Sequence, residues 1–132
     1  MFSSIKTSKT NKELVTKLTN KLNLGAENVI ARLAYTYSLA QNTKMDLDNI
    51  LDSSGKEYSL KVLFGDYAEY YIALVCVHYN IYKGDKDVAR YVKMHIDDGL
   101  VAIFDEVENK SSISGNDFMV NQVEIGLSFL ER

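Results

Sequence analysis

The pattern of hydrophobic and polar positions divides the 132-residue chain into several segments of helical period. The longest apolar run extends from Asp66 to Lys83, between Gly65 and Gly84, which suit the start and the end of a helix. This run is apolar around most of its circumference, and such a helix is normally buried from several sides. We therefore predict that it is the central helix of the fold.

Two shorter helices are predicted before this run. The first begins at Thr10, which can form a capping box with Glu13, and ends near Gly25. The second covers about residues 26–41, where apolar residues recur at three- and four-residue spacing. Residues 2–8 alternate in polarity, as a strand or extended arm does. The same order of arm, helix, turn and helix occurs in ribbon-helix-helix DNA-binding proteins, in which the strands of two chains pair.

The rest of the chain is predicted to be helical after a long polar loop at residues 42–59. A helix of about twenty residues begins at Asp85, and Gly99 within it allows close approach of the central helix or of another subunit. Its predicted core side consists of Val88, Val92, His95, Ile96, Gly99, Ile103 and Val107. Residues 110–116 are predicted to be a linker, and residues 118–130 a last amphipathic element, either helical or partly extended.

These segments predict an all-α fold of about five helices with a short N-terminal strand, in a single domain that covers residues 1–132. Hydrophobic residues make up 46% and charged residues 25% of the chain, which are ordinary globular values. The absence of proline favours uninterrupted helices. One cysteine excludes an internal disulfide, and we find neither a leader peptide nor an apolar run of the roughly 20 residues that a membrane span needs. We therefore expect a cytoplasmic protein.

The net charge of −3 conceals an asymmetry along the chain. Residues 1–44 contain seven cationic residues and two acids, a net charge of +5, whereas residues 45–132 contain eight cationic residues and sixteen acids, a net charge of −8. The N-terminal third could therefore bind a polyanion. The alternative is that its lysines are simply the solvated faces of amphipathic helices. The seven cationic residues are Lys6, Lys9, Lys12, Lys17, Lys21, Arg32 and Lys44.

Residues with catalytic or metal-binding chemistry are scarce. Cys76 lies in an apolar helix, where a cysteine is usually a small buried hydrophobe. His95 and Asp98 are spaced to share a metal or a proton, although a core histidine tethered to a carboxylate is the more common arrangement. The aspartates of residues 46–52 lack the glycine and the closing glutamate of a calcium-binding EF-hand loop. We therefore expect no catalytic residue, no metal site and no cofactor.

Three blocks of the sequence resemble, in order and spacing, the DndE family of DNA sulfur modification proteins, over about residues 5–104. The blocks are Asn28-Val29-Ile30-Ala31-Arg32-Leu33-Ala34-Tyr35, Gly65, and His95-Ile96-Asp97-Asp98-Gly99-Leu100. The resemblance implies a small helical protein of the bacterial phosphorothioation system, which replaces a non-bridging oxygen of the DNA backbone with sulfur. It also implies a homotetramer that associates with DndC and DndD and binds duplex DNA with a preference for nicks. The chain departs from the family at Glu27, where relatives tend to have proline.

Together these observations predict a non-enzymatic DNA-binding and scaffolding subunit. The residues predicted to contact phosphates are Lys6, Lys9, Lys12, Lys17, Lys21, Asn28, Arg32 and Lys44. The alternatives are a ribbon-helix-helix-like repressor, and a sulfur-transfer or metal-assisted enzyme subunit that uses Cys76 or the pair of His95 and Asp98. We also predict an obligate homo-oligomer, because Phe2 and Ile5 have no evident strand partner within the chain and an unpaired strand edge is a liability.

Overall fold

The computed structural model describes residues 2–108 and 114–130 and consists mainly of helices with a small two-stranded sheet. Five longer helices and one of five residues are present in this part of the chain, so the predicted all-α class is confirmed. Two single turns of 3-10 helix, Leu47–Asn49 and Gly65–Tyr67, lie before β2 and before α4. The elements are β1 (Ser4–Lys6), α1 (Lys9–Leu22), α2 (Glu27–Ala40), β2 (Glu57–Ser59), α3 (Leu60–Phe64), α4 (Ala68–Tyr79), α5 (Val88–Glu108) and α6 (Gly115–Leu130).

The centre of the fold is α5, which packs most extensively against α2. All seven residues predicted to form its core side are buried, which confirms this part of the prediction. The two helices approach closely at Gly99, where a Cβ atom would stand 1.9 Å from the carbonyl oxygen of Ala34. The neighbour at this close approach is therefore α2, and not the segment at residues 66–83 or another subunit.

The prediction that residues 66–83 form a central helix is wrong. The helix in this segment, α4, is shorter than predicted, and only Ile72 and Val75 of it are buried. It lies against the rest of the domain along one side, while Tyr70 and Val77 on its other side are 72% and 82% exposed. Apolar composition around the whole helix therefore does not correspond to burial within this chain.

The short strand β1 has a partner within the chain, contrary to the prediction. It pairs with β2 in an antiparallel register that places Ile5 opposite Tyr58, and both side chains are buried. The partner strand was missed because residues 42–59 were predicted to be a loop. Since β1 already pairs with β2, the strand argument for an obligate oligomer fails, and so does the comparison with ribbon-helix-helix proteins.

Both ends of α1 differ from the prediction. The N-cap is Ser8 and not Thr10, two residues earlier than predicted, and the capping box between Thr10 and Glu13 is not formed. At the other end Asn23 adopts the left-handed conformation, with φ of 52°, so the helix ends before Gly25. Asparagine tolerates this conformation better than most residues with a Cβ atom.

The last helix, α6, confirms the predicted C-terminal element as helical. It is attached at its first turn, where Gly115 and Phe118 are buried, and a Cβ atom at Gly115 would stand 1.9 Å from the carbonyl oxygen of Leu22. Of the predicted linker at residues 110–116, residues 110–113 lie outside the described residues and residues 115–116 belong to α6. No helix in the described part of the chain is both long and apolar enough to cross a membrane.

Candidate functional site

The lysines predicted to bind phosphates lie on the surface of the N-terminal third. The buried residues of α1 define one half of the helix, and four exposed lysines lie on the other half. These four are Lys9, Lys12, Lys17 and Lys21. Lys6 is exposed on β1, and Lys44 is exposed shortly after α2. The exposed half of α1, which we call the lysine face, is therefore the main cationic surface of this region.

No ion pair within the described residues neutralises the charges of the lysine face. None of the four lysines, nor Lys6 or Lys44, forms an ion pair with another residue in the described ranges. Lys17 is directed towards α5, with its Nζ atom 5.8 Å from the centre of the Phe104 ring. Glu27, the nearby acid at the start of α2, forms an ion pair with Lys56 at 2.8 Å. Glu13, on α1, is an exposed acid among these lysines.

Asn28 and Arg32 have a different environment from the lysines. The side-chain amide of Asn28 donates a hydrogen bond to the carbonyl oxygen of Val62 at 3.0 Å, and Arg32 Nε donates to the carbonyl oxygen of Leu63 at 2.7 Å. Both acceptors lie in α3, where carbonyl groups near the end of a short helix need donors. These two side chains therefore join α2 to α3, and their predicted role in DNA binding stays a prediction.

A buried carboxylate, Asp97 on α5, fixes the start of the lysine face. Its Oδ1 atom accepts hydrogen bonds from the Ser8 backbone at 3.0 Å and from the Asn11 side chain at 2.7 Å, while Oδ2 lies 2.6 Å from Lys93 Nζ. All four residues are buried. The sequence reasoning missed Asn11 and Lys93, although the position of Asn11 on the buried side of α1 was a visible indication.

A second carboxylate caps the same helix from the loop before β2. Asp52 Oδ2 accepts hydrogen bonds from the backbone N–H groups of Lys9, at 3.0 Å, and Ser54, at 3.1 Å. These bonds stabilise the ionised form and lower the pKa of Asp52. Asp52, which was predicted to belong to a long polar loop, therefore takes the place of the predicted capping box.

Behind α2, four side chains form a continuous chain of hydrogen bonds. The Tyr79 hydroxyl lies 2.6 Å from His95 Nε2, His95 Nδ1 lies 2.8 Å from the Ser38 hydroxyl, and that hydroxyl donates to Asp98 Oδ2 at 2.7 Å. Burial lowers the pKa of His95 to about 4, so the ring is neutral at pH 7. The neutral ring then donates from Nδ1 to Ser38 and accepts from Tyr79, whose oxygen also accepts from the Met45 N–H at 3.0 Å.

This arrangement accounts for the pair of His95 and Asp98 as a tethered core histidine. Ser38 stands between the two residues, so they are linked through its hydroxyl, which gives its proton to Asp98 and cannot also give it to the histidine. A serine in that bonding state is not an activated nucleophile. In the described ranges no three histidine, cysteine or acidic side chains are grouped closely enough to hold a metal ion.

Cys76 is half-buried on α4, not fully buried as predicted. Burial, followed by the nearby charge of Asp85, raises the pKa of its thiol. A raised pKa disfavours the thiolate, which is the nucleophilic form. The surroundings of Cys76 therefore resemble those of a structural cysteine.

The solvent side of α4 carries a row of large apolar side chains, which we call the α4 stripe. They recur at three- and four-residue spacing and therefore lie along one line of the helix. The row consists of Tyr67, in the 3-10 turn directly before α4, and of Tyr70, Leu74 and Val77 on α4, each of which is exposed. A contiguous apolar surface of this kind is typical of a protein–protein contact.

Comparisons with known proteins place these features in a family. Residues 4–111 match the family model described as DNA sulphur modification protein DndE. The fold is similar to the crystal structure of DndE from Escherichia coli B7A, which is described as involved in DNA phosphorothioation modification, with a TM-score of 0.62 and 17% identity over 78% of this chain and 98% of that one. A DndE mutant described as involved in DNA phosphorothioation has a TM-score of 0.65 with the same identity and coverage. No curated protein sequence matches the chain.

The fold and the comparisons together define a small, mostly helical domain of the class associated with DNA sulfur modification. The chain belongs to the DndE family. This result confirms the resemblance found in the sequence, and α6, at Gly115–Leu130, lies outside the matched residues.

Proposed function

We propose that this protein is a non-catalytic DNA-binding and scaffolding subunit of a DNA phosphorothioation complex. It binds duplex DNA, with a preference for nicks, through contacts to phosphates. Family membership and the DndE structures described as involved in phosphorothioation support the role in DNA modification. The single observation that supports DNA binding is the lysine face of α1, whose cations form no ion pair with other described residues.

Rigid attachment of α1 favours this role. Asp97 and Asp52 fix the first turn of the helix to α5 and to the loop before β2, so the lysines project from an ordered backbone. Phosphate contacts of this kind fix the position of a protein on DNA without reading its sequence. We therefore expect binding that depends strongly on salt and weakly on sequence.

The salt dependence of duplex binding tests this mechanism. The logarithm of the association constant should fall linearly with the logarithm of the salt concentration, with a slope of about −0.9 for each phosphate contacted. Each lysine removed from the lysine face should make the slope less steep by about one. Fluorescence anisotropy with a labelled duplex measures both quantities, and binding that ignores salt would contradict the mechanism.

A charge-matched pair of variants separates the lysine face from the charge of the whole protein. The test variant carries Lys12→Glu, Lys17→Glu and Lys21→Glu. The control carries Lys61→Glu, Lys83→Glu and Lys86→Glu, which are exposed positions outside the lysine face. Both variants have the same net charge, so only the test variant should lose DNA binding. Equal losses would show that total charge, and not the lysine face, governs binding.

The preference for nicks has a physical basis in bending. A nicked duplex costs less free energy to bend than an intact one, so it can bend to contact the lysine faces of several subunits in one assembly. Competition between nicked and intact duplexes of one sequence measures the preference, and equal affinities would contradict this part of the proposal.

We further propose that the protein assembles as a homotetramer. The support is the α4 stripe, an apolar surface that a monomer leaves in water. Closed symmetry would bring several lysine faces together on one assembly. Light scattering should show an assembly that persists at high salt, where DNA binding is lost. Tyr70→Lys should dissociate it, whereas Ser53→Lys, which adds the same charge at another exposed position, should not.

The scaffolding part of the proposal concerns DndC and DndD as partners, and it assigns no chemical step to this subunit. The contacts of His95 and the raised pKa of Cys76 support a non-catalytic role. A Cys76→Ser variant in the assembled system should keep sulfur incorporation into DNA. Loss of sulfur incorporation by a variant that still folds and binds DNA would favour the sulfur-transfer alternative.

A further inference from the structure

An open cavity of about 230 Å³ lies beside α5, and one of its lining residues, Asp97, also holds the start of α1. Its apolar walls come from Met45 and Leu51, in the segment before β2, and from Met94 and Val101 on α5. Leu51 is 50% and Val101 42% exposed, so the mouth of the cavity is itself partly apolar. Asn49, Asp97 and Asp98 complete the lining.

The size of the cavity limits what it can hold. Pockets for small molecules and cofactors usually enclose about 300 to 1,000 Å³. The cavity is smaller than this range and fits one aliphatic side chain. Two of its four apolar residues are methionines, whose flexible side chains adapt to different partners.

The charge around the cavity limits the occupant further. The two segments that line it, residues 45–52 and 94–101, contain five aspartates and no lysine or arginine, and of these Asp97 and Asp98 line the cavity itself. Asp97 is paired with Lys93, Lys44 precedes the first segment, and the backbone of Lys9 is bonded to Asp52, so the five aspartates leave a net charge of −2 when all three lysines are counted. Such a surface repels DNA phosphates and attracts a basic partner.

We propose that this acidic-rimmed cavity is a docking site for a short basic segment of another protein, which inserts one aliphatic side chain between Met45 and Met94. The flanking lysines or arginines of that segment face the aspartates of the two lining segments. The apolar anchor supplies affinity, and the charges direct the approach and select the partner. None of the four lysines of the lysine face lines the cavity, so the basic segment and DNA would contact different side chains.

Methyl NMR of the full-length protein tests the site directly, because the chain has four methionines and, of the three in the described residues, Met45 and Met94 line the cavity and Met119 does not. The probe is the peptide acetyl-Lys-Lys-Leu-Lys-Lys-amide, titrated to about 1 mM or more, as a weak contact requires. The methyl signals of Met45 and Met94 should shift with a common saturation curve, while that of Met119 on α6 should not. A peptide with serine in place of leucine should bind roughly tenfold or more weakly, since it lacks the apolar anchor.

A matched pair of variants completes the test. Val101→Lys places a cation at the mouth of the cavity. It should weaken peptide binding by roughly tenfold or more, because the new lysine repels the lysines of the peptide. Val120→Lys adds the same charge at a similarly exposed valine on α6 and should leave binding unchanged. Equal shifts of all the methionine methyls, the absence of shifts at Met45 and Met94, or an unaltered affinity of the Val101→Lys variant would each overturn the proposal.

Discussion

Replacement of Asp97 by asparagine tests how much the buried ion pair within α5 contributes to the stability of the fold. Asp97 and Lys93 are only 2% and 6% exposed, and the carboxylate lies 2.6 Å from the ammonium group. Asparagine has nearly the same shape and keeps an oxygen that can accept the hydrogen bonds from Ser8 and Asn11. The substitution therefore removes the negative charge and little else.

The expected loss of stability follows from the burial of Lys93. Breaking a buried ion pair by removing one partner costs about 3 to 5 kcal/mol, because the other charge stays buried without compensation. A domain of this size has a total stability of about 5 to 15 kcal/mol. The loss should therefore lower the melting temperature by roughly 10 to 20 °C.

Urea unfolding of four proteins measures this effect as a double-mutant cycle. The four are the wild type, Asp97→Asn, Lys93→Met and the double variant. Removing both charges should recover much of the stability that Asp97→Asn loses, since neither charge then stays unpaired. Asp105→Asn, at an exposed position on the same helix, is the control and should cost much less.

Two results would refute this reasoning. One is a loss below about 1 kcal/mol for Asp97→Asn, which is what an exposed ion pair contributes. The other is a double variant whose loss equals the sum of the two single losses, because additivity means that the two side chains do not interact.

Three further substitutions test the core, the buried histidine and the cysteine. Gly99→Ala should cost more than about 3 kcal/mol in urea unfolding, because its Cβ atom would meet the carbonyl of Ala34, whereas Gly84→Ala, which meets nothing, should cost little. Burial lowers the pKa of His95 in the folded protein, so as the pH falls the unfolded chain takes up a proton at this site first. The contribution of neutral His95 to the free energy of unfolding is therefore present above about pH 6.5 and is lost as the pH falls towards 4. His95→Gln should lack this part of the pH dependence, and parallel curves for variant and wild type would contradict the assignment. The folded protein should react slowly with a thiol reagent and Cys76→Ala should bind DNA normally, so rapid stoichiometric labelling would be evidence against a structural cysteine.

Helices that bury one face were predictable from the sequence. In α5 the apolar period continues for five turns, and every residue assigned to its core side is buried. The prediction for α2 also holds to within one residue at each end. Both helices pack against each other, so their hydrophobic pattern reports a contact within the same chain.

The burial of α4 could not be predicted from composition, because hydrophobicity does not say which molecule covers an apolar side chain. The pattern at residues 66–83 is compatible with a helix inside one chain and equally with a helix whose outer side meets another chain. Tyr67, Tyr70 and Val77 are exposed in the single chain, so only the three-dimensional arrangement separates the two cases.

Contacts between residues that are far apart in the sequence could not be predicted from local sequence patterns either. Asp97 and Ser8 are 89 residues apart, and Asp52 and Lys9 are 43 apart, yet these pairs set the start of α1. A capping box is a local motif, so the sequence indicated Thr10 and Glu13 for the same role. The carboxylates of Asp97 and Asp52 bond the backbone N–H groups of Ser8 and Lys9 instead, and the helix begins two residues before the predicted start.

The position of these carboxylates bears on the proposed mode of DNA binding. A helix N-terminus binds phosphate when its backbone N–H groups are available. In α1 the N–H groups of Ser8 and Lys9 donate to Asp97 and Asp52, and the first turn of α2 contains Glu27. Phosphates would therefore meet lysine side chains, which act as flexible point charges and read no base sequence. This geometry favours a subunit that holds the DNA backbone over a repressor that recognises one operator.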